Sequence, residues 1–302
     1  MKAPGSIEDR AIGALLGLAA GDAVGTTLEF ETRDACPELR DMVGGGPFAM
    51  KQGQWTDDTA MALALGHSLA NENGFDPLDC MGRFVDWFRR GAYSCTGTCF
   101  DIGITTRAAL VRFEKDGNPF AGSRNPDNAG NGSLMRLAPV AIWGARRTKE
   151  TIADVARAQS RLTHDAPACQ AACEGYAILA ARAIMGASRE EVLAPFDFAG
   201  PPDIAEIFAG SWRAKTREQI SSSGYVVHSL EAALWSIGRT ESFEEAILLA
   251  ANLADDSDTV AAITGQLAGA LYGASGIPSH WRDRIAWRDR IEDLALRLFN
   301  SN

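Results

Sequence analysis

The segment Ala254-Asp255-Asp256-Ser257-Asp258-Thr259 runs straight into residues 260–273, a stretch of small and apolar residues. A segment that is apolar nearly all round is a helix buried on every side. The chain must therefore set an acidic cluster at the buried start of a core helix. Asp and Ser suit helix N-caps, and the positive end of the dipole favours carboxylates. Three aspartates in four positions also repel one another, with little water to screen them. Hard cations such as Mg²⁺ or Mn²⁺, which bind carboxylate oxygen, remove that conflict. Trp55-Thr56-Asp57-Asp58-Thr59 repeats the chemistry ahead of the apolar helical run 60–69. The bland reading is a pair of capping clusters. The sharper one is convergence of the two around a pair of metal ions, as in di-metal hydrolases.

The rest of the chain supplies helices around these two. An apolar helical pattern runs from Ile7 to Ala23, with Ser6 as its cap and Asp22 at its end. Gly13, Gly17 and Gly21 recur every four residues on one face, which permits close approach of another helix. Further helices are expected at 59–72, 77–90, 101–115, 134–146, 150–161, 166–186, 188–194, 202–209, 224–238, 243–254, 260–273 and 278–299. Period-two alternation is almost absent, so the fold class is all-α. Breaks at 31–54, 113–132 and 196–202 are too short or too ordinary in composition to divide the chain. Residues 1–302 are expected to form one compact domain of orthogonal helices.

Charge and cysteine usage narrow the partners. The net charge of −10 leaves no basic stripe for a nucleic-acid backbone and disfavours an anionic membrane. Cys36, Cys80, Cys95, Cys99, Cys169 and Cys173 lack the partner pair or nearby His of a zinc site, and read as reduced, mostly buried thiols. The apolar run 11–21 resembles a signal-peptide core. However, Lys2, Glu8, Asp9 and Arg10 before it sum to zero charge, and the run is too short to span a membrane. A buried first helix in a cytoplasmic protein is the expectation.

Several other residues could carry chemistry. Taken alone, Glu29 is an exposed carboxylate after a flexible turn, and Asp101 is a helix N-cap. Gly130-Asn131-Gly132-Ser133 is a common turn, or a set of N–H groups offered to an anion at a helix start. Arg136, one turn on, reads as an ion-pairing structural residue. His164 alone is most simply a satisfied structural histidine.

In order, Gly21-Asp22-Ala23-Val24-Gly25, Glu29-Phe30, Thr56-Asp57-Asp58-Thr59, Gly130-Asn131-Gly132-Ser133-Leu134-Met135-Arg136, Thr163-His164 and Asp256-Ser257-Asp258-Thr259 resemble the ADP-ribosylglycohydrolase family. Each motif is weak, but the ordered set, over residues 10–281, is specific. The resemblance implies an all-α fold with a di-metal site between helix N-termini. Thr56, Asp57, Asp58, Asp256, Asp258 and Thr259 would ligate two Mg²⁺ or Mn²⁺ ions. Glu29 and Asp101 would lie at the metals and the scissile bond as the catalytic carboxylates, with acid and base not assigned between them. Gly130, Asn131, Gly132 and Ser133 would cradle the diphosphate or distal ribose, with His164 and Tyr225 bordering the pocket. The implied reaction is hydrolysis of the glycosidic bond at C1″ of an ADP-ribosyl group on a protein or small molecule, with arginine the favoured acceptor. The chain departs from the family pattern at Ile104, where Asn is common, at His228, where Asp is usual, and at Ala254-Asp255, where Gly-Gly is usual. These departures keep open a non-catalytic ADP-ribose-binding or crystallin-like structural protein. An isoprenoid synthase, another all-α magnesium enzyme, would need Asp-Asp-x-x-Asp within a helix, a spacing that residues 255–258 lack.

Overall fold

Helix α1 (Ile7–Gly25) begins where expected, with the Ser6 hydroxyl accepting the Asp9 N–H at 3.2 Å. It runs on through Asp22 to Gly25, so Asp22 lies inside the helix and does not end it. In the computed structural model, which describes residues 2–71 and 74–301, α1 lies antiparallel to α12 (Ser257–Tyr272). Gly13 faces Gly269, Gly17 faces Gly265, Gly21 faces Ala261 and Gly25 faces Ser257. A Cβ on any of these four α1 glycines would come under 3.0 Å from α12 backbone. The four-residue glycine spacing thus becomes a seam of backbone against backbone. Helix α1 with its following turn, Ile7–Leu28, does have the length and composition of a membrane span. Length therefore does not exclude one here; what identifies a core helix is that 94% of its apolar window is buried inside the fold.

Around the seam stand α2 (Asp57–Asn71), α3 (Pro77–Arg90), α4 (Ile104–Asp116), α5 (Ala138–Gly144), α6 (Lys149–Thr163) and α7 (Pro167–Ile184). The chain continues through α8 (Arg189–Leu193), α9 (Pro202–Phe208), α10 (Val226–Gly238), α11 (Phe243–Ala251), α13 (Ser279–Arg282) and α14 (Arg288–Asn300). Helices α7, α10 and α11 pack on α12, while α14 packs on α1, α2 and α5. The buried apolar residues form one cluster from Ala11 to Phe299. Among the described residues there is no strand, only isolated bridges such as Gly130–Tyr225, as the all-α reading expects. All six cysteines are free thiols; Cys80, Cys169 and Cys173 are buried and the others half-buried.

Most expected helices shift by a few residues at their ends, and three depart from the expected course. The segment 101–115 starts at Ile104, because Asp101 adopts a left-handed φ of 59° and Gly103 takes the cap. The segment 134–146 becomes a tight turn followed by α5, whose first turn contains Pro139. The segment 278–299 is cut at Trp287, φ 60°, where Gly53 accepts the Ala286 N–H at 2.8 Å and Trp55 donates to Ala286 at 3.0 Å. Glu72, the expected end of the helix from 59, lies outside the described residues.

Candidate active site

The seam determines what meets at its end. The Ser257 hydroxyl donates to the Gly25 carbonyl at 2.8 Å, which brings Asp22 of α1 beside Asp258 in the first turn of α12. Asp22 is fully buried and caps α2. It accepts from the Thr56 N–H at 2.9 Å, the Thr56 hydroxyl at 3.0 Å, the Thr59 N–H at 3.0 Å and the Thr59 hydroxyl at 2.6 Å. The first turns of α2 and α12 therefore converge on one carboxylate from α1. Oxygens of Asp22, Asp58 and Asp258 lie within 4.8 Å of one another, as do those of Glu29, Asp101 and Asp258, so Asp258 belongs to both groups. The Thr56 hydroxyl lies 3.4 Å from Asp258, and the Thr259 hydroxyl donates to Asp58 at 3.3 Å. Asp57 lines the adjoining cleft, and Asp256 accepts from the Asn131 amide at 2.6 Å.

Asp22 holds Thr56 and Thr59 in place from behind the cluster, a role the sequence reading did not give it. Its signal was present: it is the one ionisable residue in the apolar run 11–25. A buried carboxylate needs partners, and here another helix supplies them. Arg136 also differs from expectation. It is fully buried and meets no carboxylate. Instead it donates to Gln159 and Thr163 and lies over the Phe84 ring at 4.6 Å.

Burial and mutual repulsion dominate the electrostatics. Burial raises Asp57, Asp58 and Asp258 well above the carboxylate range, and the largest charges acting on them are other carboxylates. Burial, then the neighbouring Asp101, pushes Glu29 up to about 10. Asp101 rises to about 7 by burial, against hydrogen bonds to Asp258 and Glu29. Asp22 rises to about 6 by burial, and its bonds from Thr59 and Thr56 hold it lower than burial alone would. Among the described residues, the buried oxygens Glu29 Oε2 and Asp258 Oδ1 have no hydrogen-bond partner. Crowded carboxylates with orphan oxygens form a donor set suited to hard divalent cations.

Glu29, Asp57, Asp256, Asp258 and Thr259 line a cleft of about 480 Å³, while Asp22 and Asp58 are buried outside its lining. One wall carries Phe30, Asp101, Gly103 and Ile104, the other Gly130, Asn131, Gly132 and His164, with Gly224 and Asp255 at the rim. Phe30, Asp101 and Asp255 all adopt left-handed φ near 60°. Backbone strain of this kind concentrates at functional sites. The Phe30 N–H donates to the Asp255 carbonyl at 2.7 Å, which pins Glu29 over the cluster. Ala254 and Asp255 are both left-handed, φ 58° and 61°, which gives the Gly-Gly of the family pattern its physical reason. Ile104 is 90% exposed at the cleft. Among the described residues no protein group accepts the N–H groups of Gly132 and Ser133. The Ser133 side chain points away, its hydroxyl 2.8 Å from that of Ser160. Because α5 starts at Ala138, the loop lies outside any helix start, and its donors come from the turn itself. Tyr225 caps α10 beside Gly130 without lining the cleft, in edge contact with His228 at 5.1 Å.

The family model for ADP-ribosylglycohydrolase matches residues 3–302. An ADP-ribosylarginine hydrolase of Serratia proteamaculans is 47% identical over 96% of this chain and 79% of its own length. One from Pseudomonas putida is 49% identical over 97% of this chain and 78% of its own. The ADP-ribosyl-[dinitrogen reductase] glycohydrolase of Rhodospirillum rubrum is 35% identical over 93% of this chain and 91% of its own. A solved structure described as an ADP-ribosylglycohydrolase-related protein complex superposes with a TM-score of 0.88 at 39% identity, over 98% of this chain and 99% of that one. With a strand-free helical fold and a cleft floored by acids, the chain belongs to the ADP-ribosylglycohydrolase family of glycosidic-bond hydrolases.

Proposed function

We propose that the enzyme hydrolyses the glycosidic bond at C1″ of ADP-ribosylarginine on a modified protein, with two Mg²⁺ or Mn²⁺ ions held between the N-termini of α2 and α12. The observation that carries this reading is the pair of carboxylate groups sharing Asp258, with Glu29 Oε2 and Asp258 Oδ1 left unpartnered. The relatives named for ADP-ribosylarginine support arginine as the acceptor. Thr56, Asp57, Asp58, Asp256, Asp258 and Thr259 would hold the two ions, with Glu29 beside them; Asp22, whose two oxygens already accept four hydrogen bonds, positions Thr56 and Thr59. Such ions supply positive charge that offsets the acids and orients the ribose hydroxyls. The continuous core supports one domain over residues 1–302.

Asp101, half-buried in the cleft wall beside Glu29 and Asp258, is placed to take a proton from the attacking water. Glu29 carries a proton in the ion-free cluster and releases it when a cation enters. The surrounding carboxylates favour the oxocarbenium-like state of the breaking bond. The Gly132 and Ser133 N–H groups fit diphosphate oxygens. The Asn131 amide holds Asp256 in place, and Tyr225 extends the wall beyond Gly130.

The test is release of ADP-ribose from a panel of arginine, serine and O-acyl conjugates, with and without a chelator. The arginine conjugate should be cleaved fastest, and the chelator should stop its cleavage. Absence of turnover on every conjugate would sink the hydrolase reading. Faster turnover of the serine or acyl conjugate would sink the arginine assignment.

A further inference from the structure

His164 closes the Gly130–Gly132 side of the cleft. Its Nδ1 lies 2.8 Å from the Thr163 hydroxyl. The opposite edge of the ring faces the loop: a Cβ on Gly132 would sit 2.7 Å from Cε1 and one on Gly130 would sit 3.3 Å from Nε2. No protein group bonds Nε2 among the described residues, and the residue lines the cleft.

Thr163 is itself under constraint. The Arg136 guanidinium donates to its hydroxyl oxygen at 2.9 Å, and also to Gln159 Oε1 at 3.1 Å and to the Gln159 carbonyl at 3.0 Å. Arg136 can only donate, so the Thr163 hydroxyl must send its own proton elsewhere. Thr163 is fully buried, and among the described residues His164 Nδ1 is the one acceptor its hydroxyl reaches. If Nδ1 carried the proton, that hydroxyl would be a buried donor with no acceptor, which is costly. A cation donating into the hydroxyl also polarises it toward donation.

We infer that Arg136 and Thr163 are positioning residues that hold His164 in the tautomer protonated on Nε2, so that the ring offers the cleft a fixed donor to an oxygen of the nucleotide ligand. The ligand half of this inference rests on the ADP-ribose reading; the tautomer half does not. Burial, and then the Arg136 charge, holds His164 down at about 3, so the ring stays neutral across the physiological range. His164 then neither takes nor gives a proton in the reaction. The buried, carboxylate-free Arg136 thereby acquires a role that packing alone does not supply.

The experiment uses the full chain labelled with ¹⁵N-histidine and observed without ligand. The His164 signals should show a protonated Nε2 and an unprotonated Nδ1, unchanged across roughly pH 5 to 8, where an ordinary histidine titrates. Thr163→Val should release the tautomer and weaken ADP-ribose binding about tenfold, the worth of one hydrogen bond to a charged group, with helicity preserved and the melting temperature lowered because Arg136 loses an acceptor. Thr163→Ser should retain both the tautomer and the affinity. An Nδ1-protonated ring in the unmodified protein overturns the inference, as does Thr163→Val leaving tautomer and affinity unchanged. If the unmodified protein binds no ADP-ribose, the functional reading fails, while the ligand-free spectrum still decides the tautomer.

Discussion

Along residues 13–21 and 261–269, helices α1 and α12 meet through glycine and alanine, backbone against backbone. One turn further, the same two helices bring Asp22 and Asp258 together, with Asp58 and Glu29 beside them. The first contact is stabilised by close packing and tolerates no added atom. The second is electrostatically unfavourable: two unit charges about 4 Å apart repel by about 4 kcal/mol at an effective dielectric near 20. Burial turns that repulsion into retained protons, as the raised carboxyls show. A rigid seam thus holds an uncomfortable cluster in place, and stability and function reside on neighbouring turns of one helix pair.

Substitutions at the two ends should have opposite signatures. Gly17→Val puts a branched side chain into α12 backbone, and should destabilise by about 3 kcal/mol or more, read from denaturant midpoints with and without divalent ion. A loss below about 0.5 kcal/mol would show that the seam can spread at little cost, and the contrast would collapse. Asp258→Asn removes the carboxylate common to both groups. Turnover should fall by at least about 100-fold, while the ion-free melting temperature rises. A melting temperature that falls would mean that Asp258 serves packing and hydrogen bonding more than metal.

Acidity sharpens the same contrast. Asp22, Glu29 and Asp101 have folded values raised to about 6, 10 and 7, from ordinary values near 4. The folded state then binds more protons than the unfolded state above pH 4, so stability falls as pH rises through that window. His164, held at about 3, works in the opposite direction below its ordinary value of 6.5, but it is one group against the whole cluster. The ion-free protein should therefore melt at a higher temperature near pH 5 than near pH 8. Mg²⁺ or Mn²⁺ should flatten that slope and release protons on binding, measurable by calorimetry in buffers of different ionisation enthalpy. Equal melting curves at both pH values would remove the electrostatic half of the comparison.

The smallest effect is expected at Asp255. It is exposed at the cleft rim, where water screens its charge, and it holds φ 61°. Asp255→Gly should stabilise by up to about 1 kcal/mol through relief of the left-handed backbone, with metal binding and turnover kept. Loss of metal binding in that variant would make Asp255 a ligand.

The two acidic helix starts, the capping Ser6, the glycine spacing of α1 and the strand-free class could be read from the chain because each depends on nearest neighbours and periodicity. Other features could not. Asp22 looked like a helix end, since its four donors lie on Thr56 and Thr59, more than thirty residues away. The break at Trp287 comes from pairing with Gly53 and Trp55. Ser133 and Arg136 sit in a promising motif, yet α6 and α7 turn both inward.

By itself, the sequence determined which segments are helical, where acid is concentrated and which helix can be approached closely, because dipoles, periodicity and side-chain volume act locally. Only the tertiary structure decided which carboxylates share a cation-sized space and which hydroxyl orients His164. Those outcomes require α1, α2, α6 and α12 to meet, and that meeting is set by how the helices pack together, which no single segment encodes.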